Sequence, residues 1–204
     1  MSTYPVHLQV VRPQRFTRLQ HAIRVLAFVA LGVLGISFGA LFLAAYLGLP
    51  AFVASRLAGQ RAAPAEPGDA PRLTRLLHWM AAVSAWTGLT AEHLPARSPE
   101  ETVRFEIEGQ THPTPASALW RVLTGLPSAL VLAVLGCLGG LVWLWAALSV
   151  LITERVGDGA HHYLEGLQRW SVRLLAYQAS LVDEYPPFSF ADAPPHLPPA
   201  RVAP

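Results

Sequence analysis

Two adjacent carboxylates near the carboxyl end of the chain, Asp183 and Glu184, are the residue types that acid/base catalysis uses. Pro186 and Pro187 follow them, so the preceding helix is predicted to end near Glu184, where the helix dipole disfavours negative charge. Catalysis would also require a nucleophile or a metal in a pocket, and the sequence indicates neither. We therefore expect the two carboxylates to form ion pairs with arginines. The nearest candidates are Arg155, Arg169 and Arg173.

Other reactive residue types lack partners at a useful spacing. His161 and His162 are adjacent, and neighbouring helical side chains point about 100° apart, so we do not expect them to share a metal. The single cysteine, Cys137, allows neither a disulfide nor a thiolate metal site within one chain. No serine has a histidine and an acid at a recognisable spacing, and no glycine-rich phosphate loop is present. The sequence predicts a non-enzymatic protein without a cofactor or a metal.

The composition is typical of a membrane protein. Only 14% of the residues are charged, whereas 52% are hydrophobic. Residues 25–55 and 122–153 contain no Asp, Glu, Lys, Arg or His. Uncharged apolar runs longer than about 18 residues are typical of membrane segments. The sequence therefore predicts an all-α integral membrane protein.

The charged residues indicate where this protein is found. All 15 basic residues are arginine, and the chain contains no lysine or asparagine, which is typical of a GC-rich bacterial gene. The net charge of +2 is too small to favour nucleic acid as a partner. We expect a multi-pass protein of the bacterial inner membrane, with membrane lipids and a membrane protein as its partners.

Three stretches recur in the same order, which predicts a tandem duplication. "VHLQV" at 6–10 and "VRFEI" at 103–107 both alternate as strands do, and they lie 97 positions apart. The tripeptide that starts at Arg24 recurs at Arg121 with the same offset. A last set lies 91 positions apart: Trp79, Ala85, Trp86, Glu92 and Pro95 correspond to Trp170, Ala176, Tyr177, Asp183 and Pro186.

Each predicted unit contains a short β-strand, a long apolar segment and an amphipathic helix. The first unit covers residues 1–98, with a membrane segment at 25–55, a flexible linker at 59–71 and an amphipathic helix at 72–92. The second covers residues 99–190, with a membrane segment at 122–153, an amphipathic helix at 160–184 and a "YPPF" tail. Residues 191–204 are too rich in proline to pack, and we expect them to be disordered.

Both amphipathic helices carry aromatic and aliphatic residues on one face. The stripe of the first helix is Leu76, Trp79, Val83 and Trp86. That of the second is Tyr163, Leu167, Trp170, Leu174, Tyr177 and Leu181. Such stripes, accompanied by arginine, are typical of helices at the lipid headgroup boundary, which is the position we expect. A helix docked on another helix of the protein would show the same pattern.

Each apolar run fits either one long tilted helix or a helical hairpin. Glycines lie near the middle of both runs, in "GVLGISFG" at 32–39 and "GCLGG" at 136–140, where a hairpin would turn. Glycines also serve close packing of membrane helices. Arginines flank every end of the runs, and hairpins would leave all of these flanks in the cytoplasm. Hairpins are favoured, because they also place the two strands on one side, where they could pair.

The segment "RWSVRLLAYQASLVDEYPPFSF" at 169–190 resembles a bacterial membrane-protein family of unknown function. Members of that family share an Arg-Trp helix, an Ala-Tyr pair and a terminal Asp-x-Tyr-Pro-Pro-Phe motif. The "YPVHLQV" opening at residue 4 is also similar, whereas residues 93–96 of the first unit replace the motif with "HLPA". The resemblance implies no activity, cofactor or catalytic residue. The candidate interaction residues are Arg169, Trp170, Arg173, Tyr177, Asp183, Tyr185, Pro186, Pro187 and Phe188.

With no reaction indicated, we expect a scaffold or an accessory subunit of a membrane complex. The alternative is a lipid-binding or lipid-handling protein that uses the arginine and tryptophan faces of its interfacial helices. The "YPPF" segment would either dock into a groove of a partner or pack against its own helix, and the second is favoured.

Overall fold

The computed structural model of the chain describes residues 4–13, 15–33, 38–60, 70–95, 98–107, 111 and 113–191. These residues form five helices and two strands, in the order β1 (Val6–Val10), α1 (Arg18–Val33), α2 (Phe38–Gln60), α3 (Ala70–Thr87), β2 (Val103–Ile107), α4 (Pro115–Thr153) and α5 (Asp158–Gln178). A 3-10 turn, Pro99–Glu101, precedes β2. The expectation of a mostly helical chain with two short strands is confirmed.

The strands β1 and β2 form an antiparallel pair in which Val6 lies opposite Ile107 and Val10 opposite Val103. Alternate residues of a strand point to the same face, and here that face includes the buried side chains of Val6, Leu8 and Val103. The strand β1 packs on α5, and β2 packs on α3. The sheet thus connects the amino-terminal part of the chain to α3 and α5.

Helix α4 runs without interruption through Pro127 and through the glycine-rich stretch 136–140. The hairpin turn expected in the second apolar run is therefore wrong. At Gly139 the missing side chain serves packing instead, because a Cβ atom there would lie 2.8 Å from a methyl carbon of Leu167 on α5. A continuous helix of 39 residues is about 58 Å long.

The first apolar run is divided between α1 and α2. Residues 34–37, where a hairpin would turn, lie outside the described residues, so that hairpin stays a prediction. Most of the expected linker and all of the expected tail after Ala191 lie outside them as well. Within the described ranges, two helices are long and apolar enough to cross a membrane, at Gly39–Gly59 and Pro115–Thr153.

Helix α5 ends at Gln178, six residues before the predicted boundary at Glu184. Ser180 adopts a left-handed φ of 56°, and the amide of Leu181 donates back to the carbonyl of Ala176 at 3.1 Å. This 6→1 bond closes the helix, so the two prolines are not what ends it.

Helix α3 ends in the same way, at Thr87 and not at residue 92 as predicted. Leu89 has a φ of 59°, and the amide of Thr90 donates to the carbonyl of Ala85 at 3.0 Å. Each of these positions lies 91 residues before its counterpart at the end of α5. The two turns therefore share one backbone geometry as well as one sequence offset.

Helix α5 contacts α4, α3, α2 and β1. Most of its predicted apolar stripe is buried, and so are Arg169 and Arg173. The alternative, a helix docked on other parts of the protein, is therefore what the structure shows for this stripe, and a position of α5 near the lipid headgroups stays a prediction. In α3, by contrast, Leu76 and Val83 of the predicted stripe are exposed, so an interfacial position of α3 stays a prediction.

Candidate functional site

Arg121, at the start of the second apolar run, binds the turn that follows α5. Its Nη1 donates to the carbonyl of Tyr177 at 2.9 Å and also to the carbonyl of Val182. Its Nη2 forms an ion pair with the carboxylate of Asp183. The guanidinium also lies 4.7 Å from the centre of the Tyr177 ring. We name this set of contacts the Arg121 clamp.

The ion pair of Asp183 differs from the one expected. Arg155, Arg169 and Arg173 were the expected partners of Asp183, whereas the structure pairs it with Arg121, which lies 62 positions away. The Arg121 side chain is only 8% exposed, whereas that of Asp183 is 61% exposed, so the hydrogen bonds to the buried carbonyls contribute more than the ion pair. Asp183 therefore helps to fasten α5 to α4.

Arg24, at the start of the first apolar run, binds the turn after α3 in a similar manner. Its Nη2 donates to the carbonyls of Ala91 at 2.8 Å and Glu92 at 3.2 Å. The guanidinium lies 5.2 Å from the centre of the Trp86 ring. The side chain is fully buried, and this burial lowers the pKa of Arg24 to about 10, which still leaves it charged at neutral pH.

The two clamps correspond residue by residue. Arg24 and Arg121 lie 97 positions apart, and their carbonyl acceptors Ala91 and Val182 lie 91 positions apart. Trp86 and Tyr177, the rings beneath the two guanidinium groups, have the same offset of 91. The clamps differ in their second carbonyl acceptor, which is Glu92 for Arg24 and Tyr177 for Arg121, and in the ion pair of Arg121 with Asp183.

Residues 185–190, here called the aromatic segment, pack against their own chain. The hydroxyl of Tyr185 lies 2.8 Å from Oγ of Ser128 on α4. Phe188 packs on Trp170 with a distance of 5.3 Å between ring centres, and Phe190 packs on the same ring at 6.1 Å. Intramolecular packing, the favoured alternative for this segment, is thus what the structure shows.

Two buried arginines of α5 bind the end of the aromatic segment. Arg169 donates to the carbonyl of Phe190 at 2.7 Å and to the carboxylate of Glu165 at 2.9 Å. Arg173 donates to the carbonyl of Ala191 at 3.2 Å. Arg169 also reaches the carbonyl of Leu8 on β1, at 3.4 Å. These residues connect the sheet, α5 and the aromatic segment.

The predicted interaction residues are thereby separated into two groups. Those that are buried inside the protein are Arg169, Trp170, Arg173, Tyr177 and Pro186. Those that are exposed are Asp183, Tyr185 and Phe188, while Pro187 is half-buried. Phe188 has 56% of its surface exposed, so it is the member best placed to meet a partner. As contacts with another molecule, all of them stay predictions.

Gly166 on α5 gives a direct test of how the aromatic segment is held. A Cβ atom there would lie 2.6 Å from the ring of Phe190, so we expect Gly166→Ala to displace Phe190 and to lower the free energy of unfolding by about 1 to 2 kcal/mol. Gly159→Ala is the matched control, because its Cβ would meet nothing within 4 Å. Thermal unfolding of the two variants in detergent compares them, and equal Tm values would contradict this packing.

A buried polar network connects α3 and α5, and no pattern in the sequence indicates it. Gln168 donates to the carbonyl of Ala81 at 2.7 Å and accepts from the hydroxyl of Thr90 at 3.0 Å. His161 lies 3.2 Å from the carbonyl of Thr90 through its Nε2. Gln168 is not a member of the apolar stripe of α5, and its partners on α3 and in the turn after it explain its burial. Within the described residues, no group of three His, Cys, Asp or Glu side chains could hold a metal ion.

His161 should make stability depend on pH. Its burial lowers the pKa of the imidazole below the usual 6.5. The unfolded chain therefore binds a proton more readily than the folded one, and stability is lost as pH falls below about 6.5. We expect Tm to decrease between pH 7 and pH 5, and to decrease less in a His161→Gln variant. His162, which is exposed, supplies the control His162→Gln, whose pH profile should match the wild type.

Large apolar side chains form an exposed surface along α4, which we name the apolar face. Its members are Leu119, Trp120, Leu123, Leu126, Leu130, Val131, Val134, Leu138, Leu141, Leu144, Trp145, Leu148, Leu151 and Ile152. Helix α2, which packs along α4, exposes Leu41, Leu43, Leu47 and Phe52. Exposed apolar surface of this extent marks a site of contact with lipid or protein.

An arginine-rich cleft lies at the carboxyl end of the apolar face. It has a volume of about 450 Å³ and is lined by Arg15, Arg18, Ile152, Thr153, Glu154 and Arg155. Arg18 forms an ion pair with Glu154 at 2.9 Å. Three arginines thus face one acidic side chain here, which leaves the arginine cleft with a net positive charge.

Searches among curated proteins and among solved structures found no match to this chain. Residues 115–189 match the family described as "Domain of unknown function (DUF4389)". The match begins with α4 and ends within the aromatic segment, so it includes the Arg121 clamp and leaves out Arg24. Helices α4 and α5, together with most of the aromatic segment, are thus the part of the chain that is similar to this family.

Proposed function

We propose that this chain is a non-enzymatic integral membrane protein that acts as a scaffold or an accessory subunit of a membrane complex. The observation that carries the proposal is the apolar face, an exposed row of large apolar side chains between positions 119 and 152. Removing such a surface from water is strongly favourable, and lipid is the solvent that suits it. The composition of the chain favours the bacterial inner membrane as its location.

The interior supports a structural role. Both clamp arginines and the network around Gln168 donate to backbone carbonyls, which holds helices together and does not open a reaction site. Asp183, which precedes the aromatic segment, and Tyr185 and Phe188 within it are exposed, so a partner subunit could reach them. Crossing the membrane more than once remains a prediction.

A tandem duplication is part of the proposal. The clamps of Arg24 and Arg121 and the left-handed residues Leu89 and Ser180 support it, because equivalent contacts occur at the sequence offsets of the repeats. The second unit keeps the ion pair with Asp183 and the aromatic segment. We therefore place the partner contact on the second unit.

Extraction and cross-linking test this function. The protein should stay in the membrane fraction after an alkaline carbonate wash and should enter solution only with detergent. A photo-reactive amino acid placed at Phe188 should form a discrete cross-linked product in intact cells, and the same label at exposed Leu94 should not. Release by carbonate would refute the membrane location, whereas an unlinked Phe188 label would refute the partner contact.

A second candidate function, lipid binding, is favoured by the arginine cleft. Each arginine near a headgroup contributes about 1 kcal/mol, so we expect the triple variant Arg15→Gln, Arg18→Gln, Arg155→Gln to bind short-chain phosphatidylglycerol roughly 100-fold more weakly in neutral detergent. Arg104→Gln, on β2, is the control, because Arg104 lies outside this cleft and outside α3. Binding that changes with neither the variant nor the salt concentration would refute lipid recognition at this cleft.

A further inference from the structure

The back of α4, the side opposite the apolar face, is covered by protein along nearly its whole length. Its buried residues are Ala118, Arg121, Gly125, Ser128, Leu132, Gly139, Ala146, Ala147 and Val150. Most of them recur at intervals of three, four or seven positions, which places them on one side of a helix. The apolar face lies on the other side and is just as long. Helix α4 is therefore divided lengthwise between protein and an exposed surface.

The layer behind α4 begins with α5, which runs antiparallel to it. Tyr177 meets Thr124 at 2.8 Å, and Tyr163 donates to the carbonyl of Leu135 at 2.8 Å. Farther along α4, the end of α3 packs against it, since the indole of Trp143 donates to the carbonyl of Thr87 at 2.9 Å.

The sheet lies on the far side of this layer, level with residues 124–135 in the first half of α4. Arg169, which lies between Tyr163 and Tyr177 on α5, donates to the carbonyl of Leu8 on β1. If α4 stood upright with its first half in the hydrocarbon core, the sheet would lie at the depth of that core. Within the described part of the chain, β1 and β2 pair only with each other. Side chains meet the carbonyls of Leu8 and Val103, and the backbone groups of the half-exposed strand β2 that no protein group meets would require water.

An α4 whose first half crossed the membrane would also require α5 to be the returning span, because α5 lies along that half. Helix α5 contains Asp158, Glu165, Arg169 and Arg173, and it is not one of the described helices that are apolar enough to cross. Charged residues inside a membrane are costly, and four of them in 21 residues do not fit a spanning helix.

From these relations we infer that α4 lies along the plane of the membrane, with its apolar face in one leaflet and its back toward water. The inference rests on the proposed membrane location and deepens it, because it replaces crossing by α4 with an in-plane insertion. A helix in this position buries its apolar side about 5 to 10 Å into the boundary between headgroups and acyl chains.

The charges beside the apolar face fit a leaflet that contains anionic lipid. Arg15, Arg18 and Arg155 line the same cleft as Ile152, so cationic side chains border the apolar face directly at one end. Trp120 and Trp145 are 63% and 69% exposed on the face itself, and tryptophan prefers the headgroup boundary. The occupant of the apolar face is thus one leaflet with anionic headgroups.

Spin-label depth measurements on the full chain test the inference. Single cysteines would replace Leu123, Val134, Leu144 and Ile152 in a Cys137→Ser background, in liposomes of phosphatidylcholine with phosphatidylglycerol. Collisions with oxygen and with a water-soluble nickel chelate report the depth of each label. Glu106 and His162, which are exposed on the opposite layer, supply the control positions.

The depth profile separates three outcomes. In-plane insertion predicts nearly equal, shallow depths at all four positions on α4, with Glu106 and His162 open to the nickel chelate. A profile that reaches the bilayer centre, roughly 15 Å deep at Val134 and shallow at Ile152, would overturn the inference while keeping the membrane location. Free access of the chelate to every label would overturn both the in-plane position of α4 and the membrane location.

Discussion

Replacing Arg121 with alanine is expected to lower the Tm of the detergent-solubilised protein by roughly 6 to 12 °C, which corresponds to about 3 kcal/mol. The substitution removes the donor of three contacts, to the carbonyls of Tyr177 and Val182 and to the carboxylate of Asp183. A buried acceptor that loses its donor costs about 1 to 3 kcal/mol. Tryptophan fluorescence during a thermal ramp measures the change.

Two further variants distinguish the loss of the clamp contacts from the loss of a positive charge. Arg121→Lys keeps the charge but lacks the planar fork that reaches several acceptors, so its Tm should lie between those of wild type and Arg121→Ala. Arg155→Ala removes an exposed arginine and should change stability by no more than about 0.5 kcal/mol. If Arg121→Ala were as stable as Arg155→Ala, the Arg121 clamp would not be what holds α5 to α4.

The strands were accessible to sequence reasoning, whereas the ends of α3 and α5 were not. Alternation in "VHLQV" and "VRFEI" identifies each strand, since a period of two residues is a strong local signal. The helix ends depend on left-handed Leu89 and Ser180, which are not glycine or asparagine. Reasoning from glycine and proline therefore extended both helices too far.

The clamps show what a repeat in sequence can and cannot reveal. The offset that relates Arg24 to Arg121 is visible in the sequence, but the groups that these arginines bind are mostly backbone carbonyls. Any residue type can supply a carbonyl, so the acceptors leave no trace in the sequence. For this reason the sequence favours nearby arginines as partners of Asp183. Arg121 becomes its neighbour only when α5 folds back along α4.

The position of α5 could not be predicted from its amphipathic pattern. A stripe of aromatic and aliphatic residues shows that one side of a helix avoids water, but lipid and protein satisfy it equally well. The burial of Arg169 and Arg173 decides the matter here, because both donate to carbonyls of the same chain. In α4 the two sides differ mainly in side-chain size, with small residues such as Gly125 and Ala146 toward protein.

Substitution of Gly125 is expected to have the second large effect on stability, because α4, α5 and α2 meet there without room for a side chain. A Cβ atom would overlap the amide of Gln178 and lie 3.0 Å from the hydroxyl of Tyr46. Gln178 would have to move away from the carbonyl of Arg121, to which it donates at 2.9 Å. We expect Gly125→Ala to lower the free energy of unfolding by about 2 to 3 kcal/mol, measured as a loss of Tm in detergent.

Gly140→Ala is the matched control on the same helix. Its Cβ atom would meet nothing within 4 Å, and alanine favours a helix over glycine by roughly 1 kcal/mol, so this variant should be slightly more stable than wild type. Opposite signs at two glycines of α4 would show that the small residues on its back exist for contact with α5 and α2, and that those on its exposed side do not. Equal effects would mean that helix propensity alone governs α4, and the close contacts of Gly125 with Gln178 and Tyr46 would then contribute nothing to stability.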